Sequence, residues 1–234
     1  NGFKANQDFK PVGVPTGEAI HTLTIAAGEY QVIARVGEPI PADIYGNRWG
    51  QINYMGGGQM DICNHPDGNV FLAINQAATE GYLVTNYECT PGAMSKAYIR
   101  KVGDRWQVLE GENINFDSVR GTWNNCGSSH TPWNTALSGE EYEPLAMSDS
   151  WRTNVQSMTK YMGKQANPYD YGWLVEVIPD TEGNSAAMLV EKRYAMGRFS
   201  HEMAIVMPDG KTAYHGDDGT DVVLFKTVAD KPGD

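Results

Sequence analysis

Short strand-like runs, each closed off within a few residues by glycine, proline, asparagine or aspartate, constrain this chain more than any other feature. They read as Ile20–Ile25, Tyr30–Val36, Gln51–Tyr54, Met60–Asn64, Asn69–Asn75, Gly81–Tyr87, Ala97–Val102 and Arg105–Leu109. A second group follows at Gly172–Ile178, Val190–Tyr194, His201–Val206, Thr212–Gly216 and Asp221–Thr227. Many alternate apolar and polar side chains, the period of a half-buried strand. Pro208-Asp209-Gly210 between two runs predicts a hairpin, and His65-Pro66-Asp67-Gly68-Asn69 reads the same way. Hairpins at this spacing predict a mainly all-β chain, a propeller or a sandwich. One helical period interrupts them. Ser148 or Asp149 is expected to cap a helix over Trp151–Met162, with Trp151, Val155, Met158 and Met162 on one face and Gly163 at its end. No clean sequence repeat is evident. At about 40–45 residues per blade, the length corresponds to roughly five blades.

The 234 residues, 41% of them hydrophobic, suffice for a core in one large domain or two small ones. A formal net charge of -11 excludes a phosphate-backbone binder, because no basic patch is there to displace counterions. It suits a protein that holds multivalent cations, although a solvated acidic surface explains it equally well. Neither a nucleic-acid partner nor a membrane span is expected, since no apolar run approaches the roughly 18 residues a spanning helix needs. The sequence opens on Asn1 without a signal-like segment, as a processed export product or a trimmed chain would. Its cysteines are Cys63, Cys89 and Cys126. In an oxidising compartment Cys63 and Cys89 can pair and leave Cys126 free; otherwise all three are buried thiols.

Cys126 lies in an Asn/Gly/Ser turn ahead of the adjacent acids Glu140 and Glu141, with Thr131-Pro132-Trp133 between. A thiolate beside carboxylates mixes soft and hard donors, as a site for iron or zinc does. Neighbouring acids point to opposite sides of an extended chain, so at most one of Glu140 and Glu141 faces a given ion. Glu202 interrupts an apolar strand and, if buried, needs a partner or a cation. His201 beside it then faces away and reads as structural. Asp217-Asp218, between Gly216 and Gly219, has the make-up of an oxygen-rich cation loop or of a plain turn. Glu88 ends the strand Leu83-Val84-Thr85-Asn86, and Asp61 follows a glycine-rich stretch that permits close backbone approach or a bulge. Arg198 offers a bidentate phosphate contact or an ordinary salt bridge. Taken singly, each acid is as well explained as an exposed side chain. No P-loop, Gly-x-Ser-x-Gly elbow or His-Glu-x-x-His helix occurs.

Taken together and in order, these blocks resemble the PhoX-type alkaline phosphatases. The resemblance rests on Asn125-Cys126, on Thr131-Pro132-Trp133 leading to Glu140-Glu141, and on Asn167-Pro168-Tyr169 leading to Glu176. Gly197-Arg198-Phe199 leading to Glu202, Gly216-Asp217-Asp218 and Leu224-Phe225-Lys226-Thr227-Val228 complete it, and the similarity runs roughly from Gln51 to Val228. Two positions depart from the family pattern: Tyr87 stands where histidine is common and Asn134 where glycine is usual. The resemblance implies an exported, periplasmic or secreted β-propeller that hydrolyses phosphate monoesters with ferric iron and calcium. It implies Cys126 as an iron ligand, and Glu202 with one of Glu140 or Glu141 on iron or calcium. Glu88 and Asp218 are weaker candidate ligands, and Arg198 orients phosphate.

The expectation is therefore a single domain over residues 1–234, an all-β propeller, whole or incomplete, with one helical insertion near 148–163. Family members continue into further blades and further metal-binding acids. A second chain completing the ring, a longer parent protein and a relative without catalysis are the three readings this leaves. Two rival functions stand beside the phosphatase: a calcium-stabilised propeller for adhesion or assembly, and a calcium-dependent lactonase.

Overall fold

The computed structural model describes residues 13, 14, 16, 17, 30–180 and 187–233. It divides into two compact units, residues 1–33 and 34–234. The strand expected at Ile20–Ile25 lies outside the described residues. The run Tyr30–Val36 forms no strand. All that follows concerns the second unit.

That unit is built mainly of antiparallel strands that follow one another in chain order. A short hairpin, β1 (Gln51–Asn53) and β2 (Met60–Ile62), comes first. A four-stranded meander follows, β3 (Pro66–Ala73), β4 (Glu80–Tyr87), β5 (Ala93–Val102) and β6 (Arg105–Asn113). A second comprises β7 (Asn125–His130), β8 (Ala136–Glu140), β9 (Leu174–Pro179) and β10 (Met188–Lys192). The last sheet has three strands among the described residues, β11 (His201–Val206), β12 (Thr212–Asp217) and β13 (Leu224–Val228). Each sheet is open. The first strands of successive sheets pack side by side, β3 on β7 and β7 on β11.

Apolar faces explain this stacking. Val70, Leu72, Val84 and Met94 of the first meander meet Ala136, Val175 and Val177 of the second. Leu137 meets Val206 and Ala213 of the last sheet. Full burial of such side chains contributes about 1.5–3 kcal/mol each. β7 and β8 were not legible as strands: Asn, Gly and Ser make up most of β7, and Ser-Gly breaks the short β8, residues of low strand propensity that are placed there by packing on β3 and β11.

The helical insertion lies between β8 and β9 as two short helices, α1 (Trp151–Asn154) and α2 (Gln156–Met162), broken at Val155. Ser150, rather than Ser148 or Asp149, holds the N-cap position, and its side chain makes no capping bond. The expected face is the buried one: Val155, Met158, Tyr161 and Met162 pack on Tyr87, Trp123 and Tyr171. Gly163 ends α2. Cys63 and Cys89 form a disulfide at the edge of this cluster.

Pro208-Asp209-Gly210 makes the expected hairpin turn, with Asp209 accepting bonds from the backbone of Lys211 and Thr212. Pro66-Asp67-Gly68 does not. It opens β3, in a stretch where the register with β4 shifts between Pro66 and Asn69. The same irregularity recurs in β7 between Asn125 and Ser128, and in β11 between His201 and Met203. Bulges of this kind turn a side chain out of the regular ladder.

Candidate metal centre

The three bulges carry Asp67, Cys126 and Glu202, one on the first strand of each large sheet. A second acid comes from the residue just past the second strand of each sheet: Glu88 after β4, Glu141 after β8 and Asp218 after β12. The stacking of β3, β7 and β11 brings these six together.

Two groups of three donors result. The ligand atoms of Asp67, Glu88 and Cys126 lie within 4.8 Å of one another, as do those of Cys126, Glu141 and Glu202. Cys126 belongs to both. Its Sγ lies 2.9 Å from Asp67 Oδ2 and 3.4 Å from Glu202 Oε1. Asn124, held at a positive φ of 42°, donates its amide to Glu141 Oε2 at 3.1 Å and Glu88 Oε1 at 3.4 Å. Asp218 accepts the Tyr142 hydroxyl.

Glycine makes the convergence sterically feasible. A Cβ on Gly139 of β8 would collide with the His201 carbonyl of β11, and one on Gly68 would come within 2.8 Å of the Cys126 carbonyl. Behind the thiol a buried amide network fixes the β7 bulge. Asn86 donates to the Cys126 carbonyl and to Ser138 Oγ at 2.9 Å, and Asn125 donates to the same hydroxyl at 3.0 Å. The disulfide anchors the neighbouring strand end through Cys89, whose carbonyl accepts the Asn124 N–H at 2.7 Å.

The electrostatics are those of donors gathered without a counter-charge. Among the described residues no lysine or arginine forms a salt bridge with Asp67, Glu88, Glu141, Glu202 or Asp218. Burial, with bonds to Glu88, Glu202 and Asp218, pushes the Glu141 carboxyl up to about 9. Burial, with Asp67 and the charges of Glu141 and Glu202, drives the Cys126 thiol far above its ordinary range. The Asp218 hydroxyl partner, Tyr142, is raised to about 12 by that bond and by the Glu141 charge, while Asp218 is lowered by the same bond. A multivalent cation offsets each upward shift in this cluster, since it favours carboxylate and thiolate over their protonated forms. One soft sulfur shared between two groups of hard carboxylate oxygens fits iron, and the carboxylates around it are of the kind calcium takes.

Of the six residues singled out as ligands from sequence, Cys126, Glu88, Glu141, Glu202 and Asp218 come together here. Glu140 does not. It is fully buried on the other side of the strand end and forms a 2.8 Å ion pair with the equally buried Lys192 Nζ. It also accepts backbone N–H groups of Trp123, Gly172 and Trp173 at 2.8–3.0 Å. Glu140 is thus a strut that ties the Trp123 turn to the start of β9. Arg198 likewise faces protein: Nε bonds the Tyr171 carbonyl at 2.7 Å, and Nη2 bonds those of Pro144 at 2.7 Å and Pro168 at 3.2 Å. Asp61 accepts the Tyr54 hydroxyl, away from the cluster. His201 is buried, bonded through Nε2 to the Gly197 carbonyl, and lowered to about 4 by burial.

Sequence reasoning passed over Asp67, Asn124 and Tyr142. Asp67 sits in a Pro-Asp-Gly string whose plainest reading is a turn. Asn124 and Tyr142 flank the recognised Cys126 and Glu141, and adjacency was the available signal.

The family profile for alkaline phosphatase PhoX matches residues 94–234, well over half of the chain. Cys126, Glu141, Glu202 and Asp218 fall inside the matched stretch; Asp67 and Glu88 precede it. No curated protein and no solved structure matches.

Proposed function

We propose, since this chain belongs to the PhoX alkaline phosphatase family, that its donor cluster holds iron and calcium and serves the hydrolysis of phosphate monoesters. The observation that carries this reading is the pair of three-donor groups sharing Cys126. Asp67, Glu88 and Cys126 would hold one cation, and Cys126, Glu141 and Glu202 a second. Asp218, bonded to Glu141, lies beside the second set as a further carboxylate. Bound iron and calcium supply Lewis acidity toward the phosphoryl oxygens. The chain's own residues do the positioning. Asn124 spans Glu88 and Glu141 and keeps the two acids of neighbouring sheets in register. Tyr142 holds Asp218 by its hydroxyl, and the Asn86–Ser138–Asn125 network fixes the sulfur.

Two features extend the reading. The meanders, stacked through their first strands, are read here as consecutive blades of a propeller, and among the described residues the last has three strands where its predecessors have four. A strand from a second chain that pairs with β13 would complete it. The disulfide suits an oxidising compartment, periplasmic or extracellular, as the family membership also does.

Elemental analysis and p-nitrophenyl phosphate hydrolysis test the proposal together. The protein is expected to bind iron with calcium and to release p-nitrophenol; Cys126→Ser is expected to lose iron and at least about 100-fold in kcat/KM, as removal of a metal ligand does. Equal iron in both proteins, or calcium alone with no turnover, sinks it.

A further inference from the structure

The acids of the first donor group, Asp67 and Glu88, lie inside the covalent ring that the Cys63–Cys89 disulfide closes; those of the second, Glu141 and Glu202, lie outside it. We infer that the disulfide is a positioning element for the first group: it sets the cation affinity of Asp67, Glu88 and Cys126, while sheet packing sets that of Cys126, Glu141 and Glu202. The inference rests on the cation-binding half of the reading above and not on the hydrolysis.

Three observations carry it. First, little burial fixes the stretch that bears Asp67. From Met55 to Asn69, Cys63 is the one buried residue. Its backbone is pinned as well, the N–H donating to the Gly50 carbonyl at 2.9 Å, and its side chain belongs to the apolar cluster of Tyr87 and Trp123. Cys63 is thus the firm end of the bridge, and Cys89, partly exposed, is tied to it. Second, the ladder between β3 and β4 is thinnest where the two acids sit. Its register shifts between Pro66 and Asn69, and proline has no N–H to donate. Beyond that gap the Glu88 N–H meets the His65 carbonyl at 2.8 Å, and the disulfide closes the end one residue past Glu88. Third, the second group has support that the first lacks. β8, which Glu141 follows, is buried along its whole length. Glu202 stands after buried His201 and two residues before buried Ala204.

The disulfide touches the second group through Asn124, whose N–H donates to the Cys89 carbonyl at 2.7 Å and whose amide spans Glu88 and Glu141. One side chain transmits less than a covalent bond beside the ligand does, so the effect there is smaller. Donors that are in place only part of the time bind their cation more weakly by that fraction. Without the S–S bond, Glu88 is free to drift from Asp67. The expected loss is on the scale of about 10–100-fold that removal of a ligand-orienting group produces.

The test isolates each group with an isosteric variant at the other: Glu202→Gln leaves the Asp67 group, and Asp67→Asn leaves the Glu202 group. Zinc, which takes thiolate and carboxylate and undergoes no redox change, is the probe, titrated calorimetrically into cation-free protein. Adding Cys63→Ala/Cys89→Ala is expected to weaken zinc binding at least about tenfold in the Glu202→Gln background and less than about twofold in Asp67→Asn. Should the alanine pair not fold by circular dichroism, the same two backgrounds are reduced with a water-soluble phosphine, which is then removed. The S–S bond breaks to two thiols and the phosphine becomes its oxide with oxygen from water. Manganese(II), a poor thiol ligand, then replaces zinc, and the same selectivity is expected. Unchanged affinity in the Glu202→Gln background overturns the inference, and so does equal weakening in both, which makes the disulfide a support of the whole fold. No cation binding in Glu202→Gln with the disulfide intact removes the first cation site together with the inference. The expected pattern in a protein that leaves p-nitrophenyl phosphate intact upholds the disulfide's role and removes the phosphatase reading alone.

Discussion

Glu140 and Glu141 show how one residue of offset separates two roles. Both are acids with little solvent contact at the end of β8, and the extended backbone sends them to opposite sides. Glu140 meets Lys192 and three backbone N–H groups; Glu141 meets other acids. A buried pair such as Glu140–Lys192 is costly to break from one side, about 3–5 kcal/mol, because the remaining charge has no water. Glu141 gives a pH signature with a definite sign. Its folded pKa is raised to about 9 against 4.5, so across that window the folded chain keeps a proton the unfolded chain has released. Stability of the cation-free protein therefore falls as pH rises from about 5 to about 9. Thermal midpoints after EDTA treatment are expected to drop over that range, to flatten in Glu141→Gln, and to be restored by added cations. A midpoint that climbs with pH in that window contradicts the acid cluster.

At the level of elements, the bulges of β3, β7 and β11 do the gathering. Each breaks the ladder near the start of a first strand and turns one donor toward its neighbours. Their approach depends on absent side chains. Gly139→Ala places a methyl against the His201 carbonyl and pushes β11 off β8. Urea unfolding is expected to show a loss of about 1–3 kcal/mol, the usual cost of overpacking, with weaker cation binding because Glu202 moves with β11. An alanine variant as stable as wild type and with the same cation affinity would show that the two strands do not approach so closely. The strands of higher propensity were legible beforehand, β4, β9 and β11 among them, because their alternation is strong. β7 and β8 were not, since their Asn, Ser and Gly content carries no strand signal and their pairing is long-range. The helix was legible by its buried face, while its break at Val155 was not.

For the whole molecule, the open side of the last sheet matters most. β13 pairs with β12 alone among the described residues, and Leu224 and Val228 are 72% and 59% exposed. An unpaired edge with apolar side chains invites another strand. Sedimentation at tens of micromolar protein is expected to reveal self-association, reduced to monomer by Leu224→Lys with Val228→Lys, since charge on an edge blocks pairing. A wild-type protein that sediments as a monomer at every concentration removes the pairing of copies through β13.

The sequence by itself determined the strand-rich class, the acidic character and the family, and it singled out Cys126, Glu88, Glu202 and Asp218 as candidate donors, because alternation, composition and motif order are local properties of the chain. It did not determine which of two neighbouring acids serves the site, that Asp67 joins it, or that Arg198 faces inward. Those depend on which strand lies beside which, and on bulges and glycine contacts between residues far apart in the chain. Only the stacked sheets bring Asp67 and Glu202 to either side of the buried Cys126 sulfur, because the bulged first strands that carry them lie side by side.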